Sequence, residues 1–94
     1  MIVWEWIKNK KLKDISLKKR REGNILIIYG ETLEISYLNK IAAQIMELSN
    51  GSNTMSDIVD VLLKKYDVEE NELKIDIITL VRELQWKRII KLEE

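Results

Sequence analysis

Residues 31–51, ETLEISYLNKIAAQIMELSNG, change their hydrophobic period without an intervening linker. Over 32–36 polar and apolar residues alternate. Leu33 and Ile35 fall on one side and Thr32, Glu34 and Ser36 on the other, which predicts a short, half-buried strand. From Asn39 onward, Ile41, Ala42, Ile45, Met46 and Leu48 recur at helical spacing, which predicts an amphipathic helix with Asn39 as its N-cap. Asn50-Gly51 carries the chemistry of a helix stop. A strand that feeds a capped helix directly is the joint around which the other elements can be ordered.

Upstream, ILIIY at Ile25–Tyr29 is a β-branched run that reads as a strand buried on both faces. Gly23-Asn24 precedes it as a turn pair, and Gly30-Glu31 makes the tight connection that follows. Ile15 and Leu17 in DISLKKRREGN suggest one more strand, so the N-terminal part predicts an antiparallel meander of two or three strands. Downstream, SNTMSDIVDVLLKKY predicts a second helix with Ile58, Val59, Leu62 and Leu63 as its buried stripe. Thr54 and Asp57 stand at capping-box spacing, with Asp in place of the usual Glu. DVEENEL opens a third helix with its carboxylates where the helix dipole favours them, and the pattern runs to about Trp86. RIIKLEE predicts a short final strand. The resulting fold is α+β of winged-helix type: a three-stranded antiparallel sheet, three helices and a C-terminal strand in a single domain, 1–94.

Composition narrows the function classes. The chain has no cysteine and no histidine, which removes disulfides, thiolate metal sites and the commonest general base. Asp57 with Asp60 and Glu69 with Glu72 stand at helical spacing but read as caps and a solvated face, and no glycine loop is built to cradle a phosphate. No catalytic residue, metal ligand or cofactor site is therefore assigned. No apolar run approaches the roughly 18 residues that a membrane span needs, and MIVWEWIKNKKLKD lacks the order of a signal peptide, which points to a cytoplasmic protein without membrane contact. Charges are uneven. Eight basic and three acidic residues put 1–30 at +5, and eight against thirteen put the remainder at −5. Such asymmetry marks either a basic arm for an acidic partner or, the favoured reading, solvated strand edges and turns in KNKKLK and KKRR, where lysine also discourages aggregation.

At about 100° per residue the third helix separates two apolar sets. Leu73, Ile77, Leu80, Val81 and Leu84 form a core face, whereas Ile75, Ile78, Arg82 and Trp86 lie nearly opposite. An outer helix in so small a domain should turn a polar side to water. Three readings account for the second stripe: the N-terminal IVWEW folds back over it, it walls a groove for a partner, or it is a homodimer contact.

YLNKIAAQIMELSNG resembles the L-N-x-x-A-A-x-I-x-x-L-x-D-G signature of the pyrroloquinoline quinone biosynthesis protein D (PqqD) family. Leu38, Asn39, Ala42, Ala43, Ile45, Leu48 and Gly51 match, and Asn50 replaces the aspartate. Ile58, Val59, Leu62, Tyr66, Asp76, Ile77 and Leu84 keep register with the family's continuation, so the resemblance covers about Ile25 to Ile90. It implies a non-catalytic peptide-binding module. Members of this family bind the leader segment of a ribosomally made precursor peptide and present its core to a modifying enzyme. The most frequent such enzyme is a radical S-adenosylmethionine maturase; lasso-peptide proteases and lanthipeptide or cyclodehydratase systems use similar domains. The leader would add as a strand to the edge of the third β-strand, about 32–37, and lie against the third helix. Carried onto this chain, the peptide-binding residues are Thr32, Leu33, Glu34, Ile35 and Ser36 on the strand and Lys74, Ile75, Ile78 and Arg82 on the helix. Ile75 and Ile78 would hold apolar leader side chains, and Lys74 and Arg82 would meet leader carboxylates. On this assignment Ile78→Asp removes binding and leaves the fold intact. The alternation allows only one of the two strand sets to face the groove.

The chief rival is a winged-helix DNA-binding protein, which needs Lys and Arg on its recognition helix. Residues 69–86 hold five acidic and two basic residues, so DNA would repel that helix. A structural homodimer through Trp4, Trp6 and Trp86 is the other alternative.

Overall fold

The joint at Asn39 forms because its side chain does the work of a linker. Asn39 stays extended (φ −73°, ψ −177°), and its Oδ1 accepts the Ala42 N–H at 2.9 Å, so the chain leaves a strand and enters a helix within one residue. The computed structural model describes residues 2–31 and 34–94. In chain order the elements are α1 (Ile2–Ile7), β1 (Lys11–Asp14), β2 (Lys18–Glu22), β3 (Ile25–Tyr29), β4 (Ile35–Leu38), α2 (Lys40–Leu48), β5 (Asn50–Thr54), α3 (Met55–Lys65), α4 (Glu70–Trp86) and β6 (Ile90–Glu93). The protein is α+β, as the element order predicts, with a C-terminal strand. Among the described residues it has four helices rather than three, because IVWEWI folds as α1.

Two antiparallel sheets of three strands carry the helices, ordered β2-β3-β4 and β5-β1-β6. The first is the expected meander. Leu26, Ile27 and Ile28 of its central strand are all buried, as a strand covered on both faces requires. The second sheet was not legible. KLKD is its central strand, lying between β5 and β6 rather than at a solvated edge, and its Leu12 is fully buried. Asn50-Gly51 likewise belongs to β5 rather than to a simple helix stop; α2 ends at Ser49, whose N–H donates to the Met46 carbonyl.

The helices cover one core. Ala42, Ala43, Ile45 and Met46 of α2, Met55, Ile58, Val59 and Leu62 of α3, and Leu73, Ile77, Val81 and Leu84 of α4 are buried together with Leu12, Ile28, Ile89 and Ile90. Thr54 caps α3 in a reciprocal box: its Oγ1 accepts the Asp57 N–H at 3.1 Å and its own N–H donates to Asp57 Oδ2 at 2.9 Å. Glu69 caps α4 by accepting the Glu72 N–H at 2.7 Å. At its other end α4 closes with the Ile89 N–H on the Leu84 carbonyl (2.8 Å) and the Arg88 N–H on the Gln85 carbonyl (3.0 Å). This is a Schellman closure, and Arg88 takes the left-handed position at φ 57° where glycine is usual. Arg88→Gly should therefore raise stability by about 0.5–1 kcal/mol, read as a higher urea midpoint at unchanged slope.

Asp14 ties the two sheets together at the end of β1. Its Oδ1 accepts the Ser16 N–H (2.9 Å) and Ser16 hydroxyl (2.6 Å), and its Oδ2 accepts Lys19 Nζ from β2 (2.6 Å). Partial burial pushes this carboxyl up, but Lys19 and Ser16 together hold it below its ordinary value. A carboxyl lowered in the folded state contributes fully above its unfolded value and loses that contribution as pH falls through the folded one. Urea melts should show wild-type stability declining below about pH 4 more steeply than that of Asp14→Asn.

Candidate functional site

Register decides which main-chain groups β4 leaves open. The Gly30 N–H donates to the Glu34 carbonyl at 2.9 Å, and β3 pairs with β4 in the same register, Ile28 opposite Ser36 and Leu26 opposite Leu38. Antiparallel bonding alternates, so Ser36 and Leu38 turn their N–H and C=O groups to β3 while Ile35 and Tyr37 turn theirs away. Among the described residues β4 pairs with β3 alone. Side chains alternate across the sheet in the same rhythm. Ser36 and Leu38 are buried, whereas Ile35 and Tyr37 are 41% and 69% exposed. Ile35 and Tyr37 thus offer both an unpaired edge and an apolar face. Glu34 precedes the strand, and Thr32 and Leu33 lie outside the described residues.

Opposite this edge stands α4. Leu80, Glu83 and Lys87, spaced along one helical stripe, form the far wall of a groove of about 300 Å³ whose near wall is Ile35 to Asn39, with Ala42 between them. The groove continues through Asn39, Ala42 and Leu80 into an apolar recess of about 330 Å³ between α2 and α4, with Glu72 and Asp76 on its lining. Lys87 crosses the groove: its Nζ lies 3.1 Å from Ser36 Oγ, 3.4 Å from the Ile35 carbonyl and 3.8 Å from Glu83.

The helical residues named from the sequence sit elsewhere. Ile75 (47% exposed), Arg82 and Trp86 (88% exposed) face outward, but Ile78 is only 7% exposed and belongs to the core. The single outward stripe is thereby divided. Lys74 leans toward α1, pairing with Glu70 at 2.8 Å and lying over the buried Trp4 ring at 5.0 Å. Lys74 and Ile78 are one turn apart on this flank, roughly 120–180° around the helix from Leu80 and Lys87. Ile78→Asp would place a carboxylate in the core, so it does not separate binding from folding. Tyr37, Leu80, Glu83 and Lys87, which line this groove, are not among the residues assigned from the sequence. Tyr37 lies within the docking strand drawn at about 32–37 but outside the alternating set that ends at Ser36, and Leu80 counts there with the core face.

A small α+β domain whose groove runs between an unpaired strand edge and a helix has the build of a recognition module. A family model described as Coenzyme PQQ synthesis protein D (PqqD) matches residues 25–90, from the start of β3 into β6. The chain belongs to the PqqD family, whose members are non-catalytic recognition elements for the leader peptides of ribosomally made, modified peptides. No curated protein and no solved structure matches it. Among the described residues no helix is long and apolar enough to cross a membrane.

The groove's width depends on Gly30. A Cβ there would lie 2.1 Å from the Lys87 carbonyl oxygen and 3.1 Å from Ile89 Cγ1, so the β3–β4 turn can seat on the end of α4 only without a side chain. Gly30→Ala should cost about 1–3 kcal/mol in denaturant unfolding, because one of the two backbones must move.

Proposed function

We propose that residues 1–94 act as one recognition domain that binds the leader of a precursor peptide as an added strand on β4 and delivers the peptide to a modifying enzyme. The observation that carries this reading is the outward aim of the Ile35 and Tyr37 main chain beside a helix-walled groove. An added strand would draw affinity from those groups and selectivity from the pockets beneath its side chains. Family membership supports the setting, since PqqD proteins work with precursor peptides and modifying enzymes. Of the residues first assigned to the peptide, Ile35 and Ser36 border the groove, and Glu34 lines a separate hollow with Gln85, Trp86 and Arg88. The helical contacts pass to Leu80, Glu83 and Lys87. The enzyme that fits best is a radical S-adenosylmethionine maturase, with a lasso-peptide protease second.

The rivals gain little support. Lys19, Arg20 and Arg21 of the basic strand β2 are paired with Asp14, Glu22 and Glu47, which leaves less charge for a nucleic acid. Of the three tryptophans offered for a homodimer, Trp4 is buried and Trp6 and Trp86 are exposed.

Tyr37→Pro tests the reading cleanly. Its N–H points away from β3, so proline removes no ladder bond, but it deletes an edge donor and obstructs an arriving strand. Titration with a peptide copied from the short precursor gene beside its own should show affinity falling by about tenfold or more. Thermal melts should shift little. Unchanged binding by a folded Tyr37→Pro protein would rule out the β4 edge.

A further inference from the structure

We propose that Lys87 is the specificity-determining residue of the strand edge: a peptide completes its pairing with β4 only by giving this ammonium a carboxylate in exchange for the Ile35 carbonyl. The inference rests on the edge-pairing reading above and adds to it the chemistry of the peptide.

The Ile35 carbonyl is one of the acceptors that an added strand needs, and Lys87 Nζ already lies 3.4 Å from it. The same ammonium takes Ser36 Oγ at 3.1 Å, and its side chain is mostly buried. Pairing at Tyr37 disturbs neither contact. Pairing at Ile35 does, because a peptide N–H must compete with Lys87 for that carbonyl. The ammonium keeps Ser36 Oγ and, 3.8 Å away on the more exposed side of the groove, Glu83, but its hold on the Ile35 carbonyl is weakened. Weakening an acceptor of a partly buried cation is costly, so a peptide that brings a carboxylate to this point is favoured over one that does not. Neither helical cation assigned from the sequence substitutes for Lys87: Lys74 is engaged with Glu70 and Trp4 on the other flank, and Arg82 lies on the outward face. The edge is therefore open at Tyr37 and conditional at Ile35.

A displayed library of random short peptides, selected on the full chain, supplies the probe. Peptides chosen by the wild type should share an Asp or Glu at one aligned position. Replacing that residue by Gln in a synthetic copy should weaken binding to the wild type on the order of fivefold. The loss should vanish on Lys87→Met, which keeps most of the stem without the charge, and persist on Lys87→Arg. In isotope-labelled wild type the acidic peptide should shift both the Tyr37 amide and the Ile35 carbonyl, and the Gln copy chiefly the former. Equal binding of both peptides to the wild type overturns the proposal. So does an undiminished preference on Lys87→Met, or tighter binding of both peptides to it, which would make Lys87 a mere plug. If selected peptides bind without moving the Tyr37 amide, the edge reading itself has failed, whatever Lys87 does.

Discussion

The groove depends on one close approach, that of Gly30 to the end of α4. The Lys87 carbonyl occupies the space that a side chain at residue 30 would need, and Ile89 packs alongside. Three separate features meet there. Gly30 begins the connection to β4 and bonds to the Glu34 carbonyl, the Schellman closure turns the chain from α4 toward β6, and the Lys87 side chain reaches back to Ile35 and Ser36. Because sheet and helix are joined at this point, the β4 edge stands beside α4 at a fixed separation instead of collapsing onto it. Close-packed contacts have little room to adjust, so a small displacement at Gly30 would be felt along the whole groove.

An unpaired edge is a liability in any sheet, and this one treats its two edges differently. β2, at one side, is Lys-Lys-Arg-Arg-Glu, exposed throughout and tied by ion pairs to Asp14 and Glu47, so it discourages pairing by charge. β4, at the other, presents Ile35 and Tyr37 and has four residues. Its brevity limits unwanted pairing there, and Lys87 sets a cation against the edge at Ile35. A sheet meant only to hold a core would gain by charging both edges. Leaving one apolar and beside a groove makes sense if another strand is to pair with it.

What the sequence made legible follows from which forces are local. Asn39, the Thr54–Asp57 box and the helical periods act within a few residues, and each is found where the sequence placed it. The β5-β1-β6 sheet joins segments from both ends and the middle of the chain, and neither KLKD nor NGSNT carries a strand-like pattern strong enough to announce it. The division of the α4 surface was illegible for a related reason. Periodicity separates apolar from polar faces, but Ile78 is buried, and Lys74, one turn away, lies over Trp4 of α1, far off in the sequence. Register posed the last difficulty. The contact residues assigned from the sequence stop at Ser36, although the alternation of Ile35, Ser36, Tyr37 and Leu38 continues to the capping Asn39.

The segment before residue 25 lies outside the family match, yet it completes what the match leaves unfinished. Leu12 of β1 is fully buried, and β1 is the strand that joins β5 to β6. Trp4 is buried against the flank of α4 that carries Lys74 and Ile78. With the core on one side and α1 on a second, α4 keeps two free surfaces: the outward one of Ile75, Arg82 and Trp86, and the one facing β4. The second lies next to the main-chain groups of Ile35 and Tyr37 that β3 leaves unpaired. The N-terminal segment therefore bears on recognition indirectly, by closing the flank on which sequence periodicity had placed a groove and leaving the β4 side as the place where strand and helix can act together.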